Sequence, residues 1–429
     1  MKYCFIGYGK SNKDLINYMV DKDYDLFVSQ DKPFDEVTKL YFNKHKIRFE
    51  ENHGEFIRSC DIAVVSPGVP PYGEAAKIIF DNKINYTTEL AMSWNLIKQN
   101  NKNALFIGIT GTNGKSTSTS MIGHILMGEE LDTFIGGNIG TPLINAPFDY
   151  KYYVVEVSSF QLFWGKDFCP DISVILNLAP DHLNWHSTLQ EYYETKLNMG
   201  VRSIENNGIV IFNTELQTNL FKSKKAVKFN KKILENGVFN FENNKIKVEN
   251  EALNFDIYKE NTVASIITCL KLGISEKTIE ERLKNFKLLE HRLEFVRKYK
   301  GVTFLNDSKA TNVHAAYNAY KSFRDKNYYA FLSGIPKKED LTPLVDELKK
   351  YAKKVYVFGE MKKELSFYKL NTKFINVDTL DIAVKNSFQD TSEGDYVILS
   401  PAGASYDLFE NFIQRGDKFK EIVKNLDSI

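Results

Sequence analysis

The chain has 429 residues, of which 43% are apolar and 26% charged, and its 56 basic and 55 acidic side chains nearly cancel. That length exceeds what one hydrophobic core usually holds, so two or three domains are expected. Balanced charge without a like-charge block leaves no electrostatic footprint for nucleic acid, and no stretch approaches the ~18 apolar residues that span a membrane.

The opening "MKYCFIGYGKSN" has too short an apolar run and no small-residue cleavage site for a secretory signal, so a cytoplasmic protein with no membrane partner is expected. Cys4, Cys60, Cys169 and Cys269 form no C-x-x-C pair and are expected as reduced thiols. In chain order, "YCFIGYG", "YDLFVS" and "DIAVVSPGV" read as strands alternating with helical patterns, the grammar of a parallel sheet. Gly7-Tyr8-Gly9 opens like a dinucleotide fingerprint, but Asn12 stands where a third glycine belongs. The polar stretch "KQNNKN" at 98–103 marks a linker just before or within it. Strands then restart with "ALFIGIT", "YYVVEVSS", "ISVILNLA" and "GIVIFN". A third α/β segment begins near Leu289, with strands "VTFLNDS", "YYAFLSG", "KVYVFG" and "DYVILSPAG" and a closing amphipathic helix.

The stretch "FIGITGTNGKSTSTSMIGHIL" departs from the usual phosphate loop, G-x-x-x-x-G-K-[ST], because Ile109 occupies the first glycine position and Gly111 comes two residues later. The context is nevertheless right: strand, turn, lysine, hydroxyl, helix. Backbone N–H groups and the positive helix end attract phosphates, Lys115 can reach across them, and the Ser116 hydroxyl suits Mg²⁺. Glu156 ends one strand and Asp181-His182 follow another, so all lie near the carboxyl ends of parallel strands, where such sheets bind ligands.

Gly111-Thr112-Asn113-Gly114-Lys115-Ser116 resembles the phosphate loop of the ATP-dependent Mur ligases of peptidoglycan synthesis. Further stretches fall in the same order: "GGNIGTPL" at 136–143, "EVSSFQL" at 156–162, "DHLNWH" at 181–186, "EHRLEF" at 290–295, "NDSKATN" at 306–312 and "LSPAGASYDLFENFIQRGDKF" at 399–419. Through "NDSKATN" and "SSFQL" the chain is most similar to the members that add D-glutamate. The resemblance implies three α/β domains: a Rossmann-like one binding the UDP substrate (1–95), a central P-loop ATPase with a mostly parallel sheet (96–288), and a Rossmann-like one binding the amino acid (289–429). It implies a monomeric enzyme with three small-molecule substrates, ATP, D-glutamate and UDP-N-acetylmuramoyl-L-alanine. Two Mg²⁺ ions and a carbamylated Lys196 are implied as well.

The same resemblance assigns roles by position. Lys115, Glu156, His182, Lys196 and Lys309 would be catalytic, with Ser116, Glu156, His182 and Lys196 serving the metals. Gly111 to Ser116, Thr117, Asn261, Arg292 and Asp307 would bind ATP. Gly9, Lys10, Ser11, Gly68, Asn138 and Gln161 would bind the UDP substrate, and Thr311, Lys337, Ser405 and Phe412 would surround D-glutamate. Two positions depart from the pattern. Ala264 stands where many members carry a second asparagine after the one matching Asn261, and Ser29-Gln30-Asp31 replaces a D-T-R-like group for the uracil end. The alternatives are another ligase of the superfamily, a nicotinamide oxidoreductase built on Gly7-Tyr8-Gly9, and a silent nucleotide-binding regulator.

Overall fold

The computed structural model describes residues 1–129, 131–183, 185–216, 218–337 and 339–428; Asn184, inside "DHLNWH", lies outside them. The chain forms two compact units, residues 1–250 with 260–286, and residues 251–259 with 287–429.

The first unit holds two parallel sheets. Strands β1 (Lys2–Ile6), β2 (Asp25–Gln30), β3 (Arg48–Glu51), β4 (Ile62–Val65) and β5 (Asn85–Thr87) pair in the order β3-β2-β1-β4-β5. Helices α1 (Lys10–Met19), α2 (Glu36–Lys44), α3 (Glu55–Ser59), α4 (Glu74–Asp81) and α5 (Glu89–Asn100) alternate with them. The order reverses between β1 and β4, which opens a crevice at their carboxyl ends. Period-two alternation sorts the sheet: Phe5, Leu26 and Val28 pack on one face, Cys4, Ile6, Phe27 and Val65 on the other. Asn12 explains the missing third glycine. It is fully buried, and its amide donates to the carbonyls of Ile6, Gly7 and Val64, tying helix α1 to both strands at the crevice.

The second sheet comprises β6 (Leu105–Thr110), β7 (Thr133–Gly137), β8 (Tyr152–Glu156), β9 (Ile172–Ile175), β10 (Ile209–Asn213) and β11 (Ala226–Phe229), in the order β11-β10-β9-β6-β8-β7. All its pairings are parallel. A small antiparallel meander follows, β12 (Leu234–Glu235), β13 (Val238–Phe241) and β14 (Asn244–Lys247). Helices α6 (Lys115–Leu126), α7 (Ser159–Trp164), α8 (Leu189–Glu205), α9 (Asp256–Lys271) and α10 (Glu276–Lys284) complete the segment, and the unit boundary falls inside α9. The two layers share apolar core: Trp164 and Trp185 pack with Ile6, Ile78 and Ile79 of the first sheet, and the Trp164 indole donates to the Val69 carbonyl at 2.9 Å.

The second unit begins with a strand the sequence reading did not identify, β15 (Glu294–Tyr299), antiparallel to β16 (Val302–Asn306). β17 (Tyr328–Ser333), β18 (Lys354–Phe358), β19 (Phe374–Asn376) and β20 (Tyr396–Ala402) add in parallel, giving the order β15-β16-β20-β17-β18-β19. Helices α11 (Val313–Lys321), α12 (Thr342–Tyr351), α13 (Met361–Leu365), α14 (Leu380–Asp390) and α15 (Phe412–Lys424) cover both faces. The cysteines are free, with Cys4 and Cys269 buried. Among the described residues no helix is long and apolar enough to cross a membrane.

Within the first unit a buried carboxyl links the two layers. Glu89, 3% exposed, accepts from the Ile144 N–H at 2.9 Å and the Ser93 hydroxyl at 3.0 Å. Burial pushes its carboxyl from 4.5 up to about 7, against the pull of those hydrogen bonds. A raised carboxyl favours the folded state fully below about pH 4.5 and loses that contribution as pH rises through 7. Glu89→Gln should therefore remove a pH-dependent difference of order 3 kcal/mol. Urea unfolding at pH 5 and pH 8 should show a smaller loss of stability in the variant than in the wild type. Equal losses in the two proteins would contradict this reading of Glu89.

Candidate active site

Strand β6 ends at Thr110, and α6 begins at Lys115, so four residues make the turn. Gly114 caps the helix in left-handed backbone, with φ of 81°. A Cβ there would overlap the Asn261 amide, which donates from below to the Gly114 carbonyl and to the Ser118 hydroxyl, both at 3.0 Å. Asn177, just past β9, clamps the next residue on both edges: its Oδ1 accepts from the Asn113 N–H at 2.9 Å, and its Nδ2 donates to the Asn113 carbonyl at 3.2 Å. The Thr112 hydroxyl bonds Tyr192 at 3.0 Å and the Ala179 carbonyl at 3.1 Å. Thr112, Ser116 and Thr117 are buried. The loop thus has a fixed shape before any phosphate arrives, and it leads into a helix N-terminus.

Two lysines crowd the loop's carbonyl side. Lys115 Nζ donates to the carbonyls of Gly111 at 3.0 Å and Thr112 at 2.9 Å. Lys196 Nζ, on α8 and 1% exposed, donates to the Gly111 carbonyl at 2.9 Å and lies 4.9 Å from the Tyr192 ring centre. Burial, reinforced by the Lys115 ammonium, holds the Lys196 amine well below the usual lysine range, while Asp181 and Glu156 pull it back up. Glu156, at the end of β8 and 3% exposed, accepts from Asn138 Nδ2 at 2.7 Å through Oε1; its Oε2 is buried without a partner. His182 sits in left-handed backbone at φ 57°, with its ring 4.7 Å from Phe160 and its Nε2 3.7 Å from Asp181. Loop, lysines, carboxylate and imidazole therefore gather at the carboxyl edge of one sheet.

The first sheet's crevice opens toward this edge. Gly7 is left-handed at φ 80°, and a Cβ there would lie 3.1 Å from Ser66 Cβ; at Gly9 it would lie 3.3 Å from Ser66 Oγ. The β1 turn and the "SPG" loop with Gly68 are thus in close approach. Lys10 Nζ donates to the Gly140 carbonyl at 2.8 Å, which joins the Gly9-Lys10-Ser11 turn to the loop carrying Asn138. Gln161 is buried, and its Oε1 accepts from the Ser158 N–H and hydroxyl, both at 3.0 Å, as part of a capping box on α7. Ser29 is buried against Glu50 and His53, and His53 Nε2 reaches Asp31 at 2.9 Å. Ala264 is fully buried inside α9.

The second unit makes its own cluster at the carboxyl ends of β16, β17 and β20. Asp307 is buried, accepting from the Leu293 N–H at 3.2 Å and the Ser400 hydroxyl at 2.7 Å, and burial pushes its carboxyl up to about 7. Lys309 Nζ lies 3.8 Å from the Phe412 ring centre, and its N–H donates to the His291 carbonyl at 3.0 Å. Ile335 and Ala404 pair back to back, which brings the loop bearing Lys337 beside the one bearing Ser405. Ser405 is buried, Lys337 exposed, and Thr311, Arg292 and Phe412 partly buried. Fully buried Arg415 binds these loops together, donating to Ser308 Oγ, the Ser308 carbonyl and the Gly403 carbonyl at 3.0, 2.9 and 3.1 Å.

Glu290, His291 and Asp417 also meet, with their ligand atoms within 4.8 Å of one another. A metal does not suit them. The Asn306 amide donates to His291 Nδ1 at 2.9 Å while its oxygen accepts from the Ser308 N–H, so the imidazole proton belongs on Nε2, the atom facing the carboxylates. The Lys420 ammonium already sits 2.9 Å from Asp417.

Sequence reasoning missed Asn177, Tyr192, Arg415 and Glu260, whose carboxyl accepts from the Asn177 amide at 3.0 Å. Asn177 had a usable signal, since it follows "ISVI" at the carboxyl edge; a partly buried glutamate or a buried arginine on a polar-looking helix had none.

Residues 2–75 match the MurD N-terminal domain family, 109–280 the Mur ligase middle domain, and 291–403 the Mur ligase, glutamate ligase domain. A UDP-N-acetylmuramoylalanine--D-glutamate ligase of Petrotoga mobilis is 51% identical over 430 residues, covering 99% of this chain and 100% of its own. One from Thermotoga maritima is 34% identical over 445 residues, covering 99% and 98%. Among solved structures, MurF ligase from Thermotoga maritima in complex with ADP aligns with a TM-score of 0.63 at 16% identity, over 98% of this chain and 95% of that one. A pseudomurein peptide ligase type C from Methanothermus fervidus aligns at 0.59 and 18% identity, over 99% of each chain.

The loop geometry generates a test. Gly114→Ala should cost at least about 1 kcal/mol of stability through its backbone alone. It should also abolish the rise in melting temperature that ATP gives the wild type. Adding Asn261→Ala should recover stability lost to overlap but not the ATP response. A Gly114→Ala protein that ATP stabilises as fully as wild type would show that the loop's shape is not needed.

Proposed function

The chain belongs to the Mur ligase family, and from that membership we propose that it joins D-glutamate to UDP-N-acetylmuramoyl-L-alanine at the expense of ATP, in peptidoglycan precursor synthesis in the cytoplasm. The observation that carries the chemistry is the convergence on one loop of Lys115, buried Lys196 and a glutamate with a bare buried oxygen. The amino acid is the one that the full-length relatives from Petrotoga mobilis and Thermotoga maritima are named for. The working division is a UDP-substrate domain at 1–95, an ATP domain at 96–288 and an amino-acid domain at 289–429, acting as a monomer.

The residues fit the two Mg²⁺ ions such a reaction uses. Glu156 Oε2 is a hard carboxyl oxygen, buried and lacking a partner, and the Ser116 hydroxyl stands in the first turn of α6. Ser116, Glu156, His182 and a carbamate on Lys196 would hold the ions, which supply charge neutralisation for phosphoryl transfer. The Lys196 amine is suited to that modification, because burial favours the neutral form that attacks CO₂. An N–C bond forms, one C–O π bond of CO₂ breaks, a proton leaves the nitrogen, and a neutral amine becomes an anion.

Phosphoryl transfer begins when an oxygen of the substrate carboxylate attacks the γ-phosphorus and the bond to ADP breaks, giving an acyl phosphate. The backbone at the start of α6, with Lys115, stabilises the charge on the transferring group, and Lys309 is assigned to the γ-phosphate. Thr117 and Asn261 support the nucleotide site, with Arg292 and Asp307 facing the nucleotide. Gly9, Lys10, Ser11, Gly68, Asn138 and Gln161 serve the UDP substrate. Thr311, Lys337, Ser405 and Phe412 orient D-glutamate so that its amine attacks the acyl carbon, loses a proton and expels phosphate.

Phosphate release from ATP with UDP-N-acetylmuramoyl-L-alanine should depend on D-glutamate and not on L-glutamate, glycine or D-alanine; preference for another of these would overturn the assignment. Lys196→Ala should lose most activity yet keep ATP binding, and a small carboxylic acid should restore part of it by filling the vacated anion position. Lys196→Arg should resist rescue, because its guanidinium fills that space with the wrong charge. Full activity in the alanine variant would remove the carbamate.

A further inference from the structure

Asn177 holds both backbone edges of Asn113, and an amide can make that clamp in only one orientation. Its oxygen must face the Asn113 N–H and its nitrogen the Asn113 carbonyl. One hydrogen of that nitrogen remains, and Glu260 Oε1 on α9 accepts it at 3.0 Å. Glu260 follows Lys259 at the point where the chain re-enters the first unit, and it precedes Asn261, which holds the next loop residue, Gly114. Two consecutive residues of α9 therefore act on two consecutive residues of the phosphate loop, Glu260 through Asn177 and Asn261 directly.

We propose that Glu260 is a positioning residue for the nucleotide site, which fixes the orientation of the Asn177 amide and through it the backbone of Asn113. The proposal rests on the reading of the loop as the ATP site. Its physical basis is the asymmetry of the acceptor. A carboxyl oxygen in this place rewards the nitrogen of Asn177 and repels its oxygen, so the flipped amide, which would present a carbonyl to the Asn113 carbonyl and an N–H to its N–H, is disfavoured twice. Burial pushes the Glu260 carboxyl up to about 7, and Oε1 accepts whether or not the other oxygen carries a proton. The Asn213 side chain also hydrogen-bonds this carboxyl, so glutamine at 260 can offer its one oxygen to Asn177 or to Asn213 but not to both; alanine removes both acceptors, and aspartate withdraws them by one methylene.

The test is steady-state phosphate release in the full chain, with KM measured separately for ATP and D-glutamate. Glu260→Ala should raise the KM for ATP by roughly fivefold or more and leave that for D-glutamate within about twofold, as expected for a lost hydrogen bond acting only on the nucleotide side. Glu260→Asp should move in the same direction, and Glu260→Gln, which keeps one acceptor oxygen, should fall between Glu260→Ala and wild type. The decisive comparison is the double variant: Glu260→Ala added to Asn177→Ala should raise the KM for ATP no further than Asn177→Ala alone. Additive effects would overturn the proposal, as would equal rises in both KM values or an unchanged KM for ATP in Glu260→Ala. If Glu260→Ala does not fold, the aspartate and glutamine variants carry the same test. Calorimetric titration with ADP applies the same comparisons without turnover. A wild type that binds ADP but forms no product would thus refute the ligase assignment and still decide the role of Glu260.

Discussion

The first unit depends on one constraint: the residue before Lys115 must adopt left-handed backbone while another side chain presses against it from below. Only glycine meets both conditions at 114, and the consequence is directional. The loop carbonyls are turned into the protein and must be satisfied there, and the N–H groups of Thr112 and Asn113 likewise find their acceptors on Asn177. The protein supplies those partners from four separate segments: Lys115 from the loop, Asn177 after β9, Lys196 from α8 and Asn261 from α9. A burial that would be costly for an isolated amine is thereby offset in part by carbonyl dipoles, while burial and the Lys115 ammonium hold the Lys196 amine well below the usual lysine range, toward the neutral form its proposed chemistry needs.

The second unit solves a related problem with a charge. Arg415 is fully buried, and burial pulls its guanidinium down to about 10. Its donors go to the Ser308 and Gly403 carbonyls and the Ser308 hydroxyl, which belong to the two loops carrying Lys309 and Ser405. A planar fork holds both loops in one geometry, as a flexible ammonium would not. The neighbouring turn is strained as well, with His291 and Leu293 both in left-handed backbone and Asp307 accepting from the Leu293 N–H. Such strain persists only where surrounding bonds determine it, and here they place Arg292 and Lys309.

Much of this was legible in the sequence, because it depends on local chemistry. The alternation of apolar strands with helices, the turn before Lys115 and the carboxyl-edge positions of Glu156 and His182 follow from periodicity and from where parallel sheets bind ligands. The meander β12–β14 carried a readable signal that went unused: Asn236 and Gly237 take φ of 50° and 75°, the turn that an Asn-Gly pair favours. Strand β15 was hidden, since "EFVRKY" has little alternation and owes its conformation to pairing with β16. Asn12 and Glu260 were illegible for a different reason. Each acts on backbone groups distant in sequence, and nothing in its own neighbourhood announces that partner.

The central claim is that the phosphate loop serves to activate a carboxylate, and the most direct measurement follows the oxygen. With the alanine carboxylate of UDP-N-acetylmuramoyl-L-alanine labelled with ¹⁸O, attack on the γ-phosphorus predicts that each turnover carries one labelled oxygen from that carboxylate into inorganic phosphate. Amide product accompanied by unlabelled phosphate would contradict it.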